Sequence, residues 1–347
     1  VKSDVDRAFS NMNASCGAMS PRSKKKERMK EIVDLALYLL ENPRYRGLPA
    51  LCFKRSQISG FIKNGKLSGA TIKEKLRLVW AVDAATVLLE ARFARPLMDS
   101  VLPRMINYAG GKNDDEIRNI LMAWWQDTTN WICFDYSQYD ATVPSWLIRD
   151  MFDLVKIYFP KESHSDIDWL CQEFIETKII MPKGDVMTKK KGIPSGSYFT
   201  QLIGTLCNLQ TMICAIIAVH GELEARDMLL RSNGFLSLMA MGDDNVVFSR
   251  GEIDVKSVIS YIGRNFGLAI NRDKCDEGNT IEAPVFLKRK WYPDGAWRDI
   301  KELLVQMTHP EFWRTYENYS PYHIIYGYMI TYPLAFENVI DRSEVIL

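Results

Sequence analysis

Phe235-Leu236-Ser237-Leu238-Met239-Ala240-Met241-Gly242-Asp243-Asp244-Asn245-Val246-Val247-Phe248 is the stretch on which the fold turns. An apolar run ends at Gly242, passes two adjacent carboxylates and resumes at Asn245. Short apolar runs broken by a Gly-Asp pair predict a β-hairpin with the acids at its tip. Alone, such a tip is most often a solvated turn. A second stretch changes the odds. In Cys133-Phe134-Asp135-Tyr136-Ser137-Gln138-Tyr139-Asp140, the apolar run from Trp131 to Phe134 ends at Asp135, and Asp140 opens the next helix. If the two strands are neighbours, Asp135 and Asp243 sit side by side although they are far apart in the chain.

Carboxylates held that close repel one another, and divalent cations relieve the repulsion. Magnesium favours a few carboxylates together with substrate phosphates. A metal pair roughly 3.5–4 Å apart activates a hydroxyl nucleophile and stabilises the leaving oxygen of an in-line phosphoryl transfer.

A third stretch, Lys191-Gly192-Ile193-Pro194-Ser195-Gly196-Ser197-Tyr198-Phe199-Thr200, leads into a helix that carries Gly204 and Asn208. Ser195 and Gly196 form a loop at a helix N-terminus, suited to close backbone approach to a sugar or phosphate. Thr200, Gly204 and Asn208 recur every four residues and so share a helix face.

Around these blocks the pattern predicts helices from Ser20-Pro21 through about Asn42, and at about 81–95, 114–127, 144–159, 165–177, 197–219, 222–232 and 254–266. Ala269–Asn271 and Val285–Trp291 have strand character, and residues 45–80 read as turn-rich basic pieces such as Lys63-Asn64-Gly65-Lys66. Few strands interleaved with helices, with carboxylates at strand ends, predict an α+β fold.

Composition sets the outer bounds. The 347 residues are 47% hydrophobic and 25% charged, which fits an ordinary globular protein able to bury a sizeable core. Forty-four Lys and Arg against 43 Asp and Glu leave a formal charge of +1, so the balance points to no class of partner. Basic residues nevertheless crowd the first third: Lys24, Lys25, Lys26, Lys54, Arg55, Lys63, Lys66, Lys73, Lys75 and Arg77. Seven scattered cysteines without a C-x-x-C pair, and four dispersed histidines, argue against a zinc site and fit a reducing compartment. Leu202 to Val219 is the most membrane-like run, but Asn208 and Gln210 are costly in lipid, so a buried helix is expected. The opening Val-Lys-Ser-Asp has neither an initiator methionine nor a signal-peptide pattern. An intracellular chain that is a piece of a longer protein is the expectation.

The D-x4-D, S-G-x3-T and G-D-D blocks, in this order, resemble motifs A, B and C of viral RNA-dependent RNA polymerases. Their wording is similar to that of the partitivirus and picobirnavirus-like group of double-stranded RNA viruses. Outside them, Lys73-Glu74-Lys75-Leu76-Arg77-Leu78-Val79-Trp80 resembles motif F, Gly267 to Lys274 resembles motif D, and Phe286-Leu287-Lys288-Arg289 resembles motif E. The resemblance implies a right-hand polymerase. Residues 1–127 would be the N-terminal region and fingers. Residues 128–300 would form the palm, an antiparallel sheet with helices, with a fingers insertion at about 160–194. Residues 301–347, rich in aromatics from Phe312 and Trp313 to Tyr328, would begin a thumb.

The resemblance also implies roles. Asp135 and Asp243 would ligate two magnesium (or manganese) ions, with Asp244 as accessory ligand. Lys73, Lys75 and Arg77 would grip the triphosphate of a ribonucleotide, and Lys274 would protonate the departing pyrophosphate. Asp140, Ser195, Gly196 and Thr200 would bind the nucleotide, Asp140 and Ser195 being polar where reverse transcriptases place a bulky ring, which favours ribonucleotides. Many positive-strand virus polymerases carry Asn at the position of Gly204; here the Asn lies one turn on. Either Asn208 partners Asp140, or Asp140 works with Ser195 and Thr200. The implied partners are an RNA template, the product strand, ribonucleoside triphosphates and a viral capsid protein, in a virion interior or host cytoplasm. The rival readings are a reverse transcriptase-like palm, a catalytically silent RNA-binding relative and a nucleotide cyclase.

Overall fold

The computed structural model describes residues 8, 9, 11–59, 73–231, 234–308, 321–332, 335 and 336. Lys63-Asn64-Gly65-Lys66 and the aromatics from Phe312 to Tyr319 lie outside the described residues.

The strands run β1 Ala50–Ser59, β2 Lys73–Ala81, β3 Asn130–Cys133, β4 Tyr136–Ser137, β5 Lys178–Ile180, β6 Val186–Thr188, β7 Leu238–Met241 and β8 Asp244–Ser249. They continue as β9 Ala269–Ile270, β10 Asp276–Asn279, β11 Val285–Phe286, β12 Arg289–Tyr292 and β13 Gly295–Trp297. The central sheet has the order β10-β3-β8-β7, every pair antiparallel.

Alternation along these strands explains why their sequences are apolar almost throughout. Ile132, Leu238, Ala240 and Val247 face one core, which contains buried residues of the Phe199–His220 and Val255–Phe266 helices. Trp131, Met239, Val246 and Phe248 face a second core with Leu121 and Trp124 of the Asp114–Gln126 helix and with Phe286 and Trp291. A sheet covered on both faces needs apolar residues at both parities. Each fully buried side chain of the size of Phe248 or Leu238 contributes about 1.5–3 kcal/mol of transfer free energy.

The Phe199–His220 helix is the one helix among the described residues long and apolar enough to cross a membrane. It passes through the main core, burying Leu202, Ile203, Cys207, Met212 and Ile216 together with Thr205, Asn208 and Thr211, as a buried helix was expected to do.

A second sheet, β2-β1-β5-β6, stands apart. β1 and β2 pair antiparallel from Leu51↔Ala81 to Ser59↔Lys73, so the supposed turn-rich region around residues 50–80 contains a long two-stranded ribbon. Alternation is weak in these basic strands, which is why the pattern hid them.

Three other expectations are corrected. The helix expected from Ser20 is Met29–Glu41, and the Ser20 hydroxyl instead bonds the Ser23 hydroxyl at 2.7 Å. Val285–Trp291 is not one strand but a hairpin, with Leu287 and Lys288 as its two-residue loop. The strand expected at Trp131–Phe134 leaves the ladder before Phe134, because a side chain takes over there, as described below.

Candidate active site

The β7–β8 hairpin pairs Met241 with Asp244, leaving Gly242-Asp243 as its loop. Gly242 has φ +63°, the positive first loop position of a type II′ turn, which glycine adopts without steric cost. Next to it, β3 pairs with β8 through Ile132↔Val247. That register carries Asp135, just beyond the end of β3, to the hairpin tip. The electrostatics agree. Asp244 is pushed up to about 6, first by burial and then by the charge of Asp243, with Asp135 adding to the effect and Lys288 opposing it.

Lys288 reaches this position from a strained loop. Both Leu287 (φ +54°) and Lys288 (φ +58°) are left-handed without being Gly or Asn. Such conformations cost roughly 1–2 kcal/mol per residue. Arg289, the next residue, anchors the hairpin to Asp114 at 2.6 Å.

The acids are exposed or partly so, while Tyr136 and Tyr139 between them are buried and act as struts. Tyr136 and Tyr139 pack with their rings tilted by 46°, 4.8 Å between centroids. The Tyr139 hydroxyl donates to the Gly204 carbonyl at 2.7 Å, and the Tyr136 hydroxyl donates to Asn208 Oδ1 at 3.3 Å. Burial raises the pKa of both phenols well above the ordinary value, so they serve as neutral donors.

Asn208 is corrected by this geometry. It is 0% exposed, and its amide donates to the carbonyls of Gly242 (2.9 Å), Asp243 (3.1 Å) and Asp244 (3.4 Å). A side chain spent on the turn cannot face a nucleotide. Thr205, absent from the sequence reading, completes the clamp, its hydroxyl accepting from Gly242 N–H at 2.8 Å. The spacing of Thr205 and Asn208 on a helix, i and i+3, was the available signal.

The Ser195-Gly196 loop is held from two sides. Ile193 N–H donates to the Asp140 carbonyl at 2.6 Å, bringing Asp140 beside the loop. On the other side, Ser195 Oγ accepts from Trp80 N–H at 2.8 Å, so the loop docks on the end of β2. The expected close approach at Gly196 is made to protein: a Cβ there would lie 2.7 Å from the Trp80 carbonyl oxygen. Thr200 turns back to donate to the Pro194 carbonyl at 2.5 Å.

Two further groups brace the loop and were not singled out from sequence. Buried Glu90 accepts from Ser197 Oγ at 2.7 Å and Tyr198 N–H at 2.9 Å, and burial pushes it up to about 7. Lys189 donates to the Gly192 carbonyl beneath the ring of Phe174, and burial pulls it down to about 7. Their signal in sequence was nil, because a buried charge looks like a surface one until its neighbours are known.

Lys73, Lys75 and Arg77 occupy alternate positions of β2, in register with Ser59, Gln57 and Arg55. Lys274 is exposed on a short turn whose start, Asn271 N–H, donates to the Asp135 carbonyl at 2.8 Å.

Asp135, Asp243 and Asp244 supply only hard oxygen donors, the type that magnesium and manganese take. Among the described residues no three His, Cys, Asp or Glu side chains form a ready metal cage.

A family model described as viral RNA-dependent RNA polymerase matches residues 6–319. The RNA-directed RNA polymerase of Cryptosporidium parvum virus 1 (strain KSU-1) is 31% identical over 169 residues, covering 46% of this chain and 30% of that protein. The non-structural polyprotein 1AB of Ovine astrovirus 1 is 25% identical over 151 residues, covering 42% of this chain and 11% of the polyprotein. Among solved structures, the RNA-dependent RNA polymerase of a human picobirnavirus superposes with a TM-score of 0.69 at 16% identity, over 94% of this chain and 62% of that one. The Sicinivirus 3Dpol RNA-dependent RNA polymerase gives a TM-score of 0.68 at 15% identity, over 91% and 67%. The fold is therefore the right-hand polymerase fold. The chain matches less than a third of the first of these curated relatives and less than two thirds of the picobirnavirus polymerase.

Proposed function

The chain belongs to the viral RNA-dependent RNA polymerase family, and on that premise we propose that it adds ribonucleotides to an RNA 3′ end on an RNA template. The observation that carries this reading is the meeting of Asp135 with Asp243 and Asp244 at the ends of two paired strands. These carboxylates would hold two magnesium or manganese ions. When bound, such ions activate the 3′-hydroxyl and stabilise the charge that develops on the phosphates.

The chain's own residues orient and select. In this reading Lys73, Lys75 and Arg77 serve the triphosphate, and the Trp80–Ser195 hydrogen bond fixes their strand, β2, against the sugar side of the site. Asp140, held at the loop through Ile193, is the polar group for the 2′-hydroxyl, with Ser195 and Thr200 beside it. Lys274 is the proton donor to pyrophosphate. The division into fingers (1–127), palm (128–300, with a fingers insertion at about 160–194) and the start of a thumb (301–347) belongs to the same proposal. So do a capsid partner and a place in the virion interior or host cytoplasm.

The test is single-nucleotide extension of a labelled RNA primer on an RNA template, with Mg²⁺ or Mn²⁺ and ribo- or deoxynucleotides in parallel. Templated ribonucleotide addition is expected. Preference for deoxynucleotides would overturn the substrate assignment, and an unchanged sugar ratio in Asp140→Ala would remove that residue from the sugar site.

A further inference from the structure

At the point where β3 and β8 should exchange another pair of backbone hydrogen bonds, they do not. The register Ile132↔Val247 extends to put Phe134 opposite Asn245. There the Asn245 side chain replaces the ladder. Phe134 N–H donates to Asn245 Oδ1 at 3.1 Å, and Asn245 Nδ2 donates back to the Phe134 carbonyl at 3.1 Å. A weaker contact of the same Nδ2 reaches the Asp243 carbonyl at 3.4 Å.

Asn245 is 2% exposed, so neither amide atom has water to fall back on. One side chain thus grips the residue before Asp135 and the backbone of Asp243. A backbone pair would draw the strands to ordinary ladder spacing; a side-chain amide inserted between them holds the ends farther apart. On the far side, Asn271 N–H fixes the Asp135 carbonyl at 2.8 Å. Asp135 is therefore pinned immediately before and at its own peptide.

We infer that Asn245 is a positioning residue whose side-chain amide sets the spacing between Asp135 and Asp243 and so tunes divalent-cation affinity. This rests on the reading of these carboxylates as the metal ligands. Groups that orient ligands without touching the metal typically change its affinity 10- to 100-fold when removed. The side chain of Val246, the next residue, is fully buried in the other core and touches neither carboxylate strand end in this way. It is the control for general destabilisation.

The experiment measures Mn²⁺ binding by electron paramagnetic resonance, with thermal unfolding, for the unsubstituted protein, Asn245→Ala, Val246→Ala and Asp243→Ala. Nucleotide addition against metal concentration is followed in parallel. Asn245→Ala is expected to weaken Mn²⁺ binding by about 10- to 100-fold and to raise the half-saturating metal concentration equally, with the rate at saturating metal unchanged. Val246→Ala, even with an equal loss of melting temperature, is expected to bind Mn²⁺ normally. Normal affinity in Asn245→Ala, or an equal loss in Val246→Ala, would overturn the inference and leave the metal reading intact. Normal Mn²⁺ binding in Asp243→Ala would overturn the metal reading, and this inference with it. Should Asn245→Ala not fold, Asn245→Ser, whose hydroxyl spans only one of the two bonds, is judged by the same criteria.

Discussion

Asn208 lies beneath Gly242, its amide nitrogen 2.9 Å from the glycine carbonyl, so the helix after the Ser195-Gly196 loop carries the carboxylate turn on its back. The two segments form one mechanical unit. A shift of the helix that follows the loop moves the acids.

Asn208→Ala is therefore expected to cost stability, about 1–3 kcal/mol, because the part-buried turn carbonyls lose their donor and the buried Tyr136 hydroxyl its acceptor. Urea denaturation measures it. Nucleotide addition should fall with the ribose-to-deoxyribose preference unchanged. A relaxed sugar preference would return Asn208 to the nucleotide site.

Asp243→Ala should behave in the opposite way. Asp243 is exposed and its charge raises the pKa of Asp244, so removing it is expected to leave stability within roughly 0.5 kcal/mol. Primer extension should be abolished. Retained extension in a folded variant would sink the metal assignment.

Gly196→Ala tests the docking of the loop on β2. At φ +89°, with Trp80 O only 2.7 Å from the added Cβ, the loop must move. The expected stability loss is about 1–3 kcal/mol. Proteolytic cleavage within residues 192–198 should accelerate and nucleotide KM should rise. Unchanged cleavage and kinetics would show that the contact is dispensable.

Glu90 predicts a pH dependence of folding. Its carboxyl is raised from 4.5 to about 7, by burial first, against the two hydrogen bonds from Ser197 and Tyr198. The folded state therefore holds its proton more tightly than the unfolded chain. Its contribution is fully present below pH 4.5 and is lost as pH rises through about 7. The loss is at most roughly 3 kcal/mol. Glu173, also raised to about 7, acts in the same direction. Lys189, lowered from 10.5 to about 7, acts above that window: its contribution is present above 10.5 and is lost as pH falls through about 7. Glu90→Gln should flatten the slope of unfolding free energy between pH 4.5 and 7; an unaltered slope would refute the assignment.

What the sequence determined by itself was everything encoded by local period and order. The apolar runs ending near Asp135 and Asp243, the helices between about residues 81 and 266, the buried character of the Leu202–Val219 run and the three-block order were legible. Hydrophobic periodicity reports which face is buried, and turn residues report where an element stops. The basic ribbon β1–β2 was not legible, since its pairing, rather than its side-chain pattern, makes it a strand.

Only the tertiary structure decided what the polar residues do. Asn208, Thr205, Asn245, Tyr136 and Tyr139 could each have faced a ligand as well as a neighbour. Their hydrogen bonds go to backbone and side chains as distant in sequence as Phe134 from Asn245. A polar group taken out of water must find a partner, and which partner it finds depends on packing between remote segments. Asp135 and Asp243, by contrast, remain exposed to solvent.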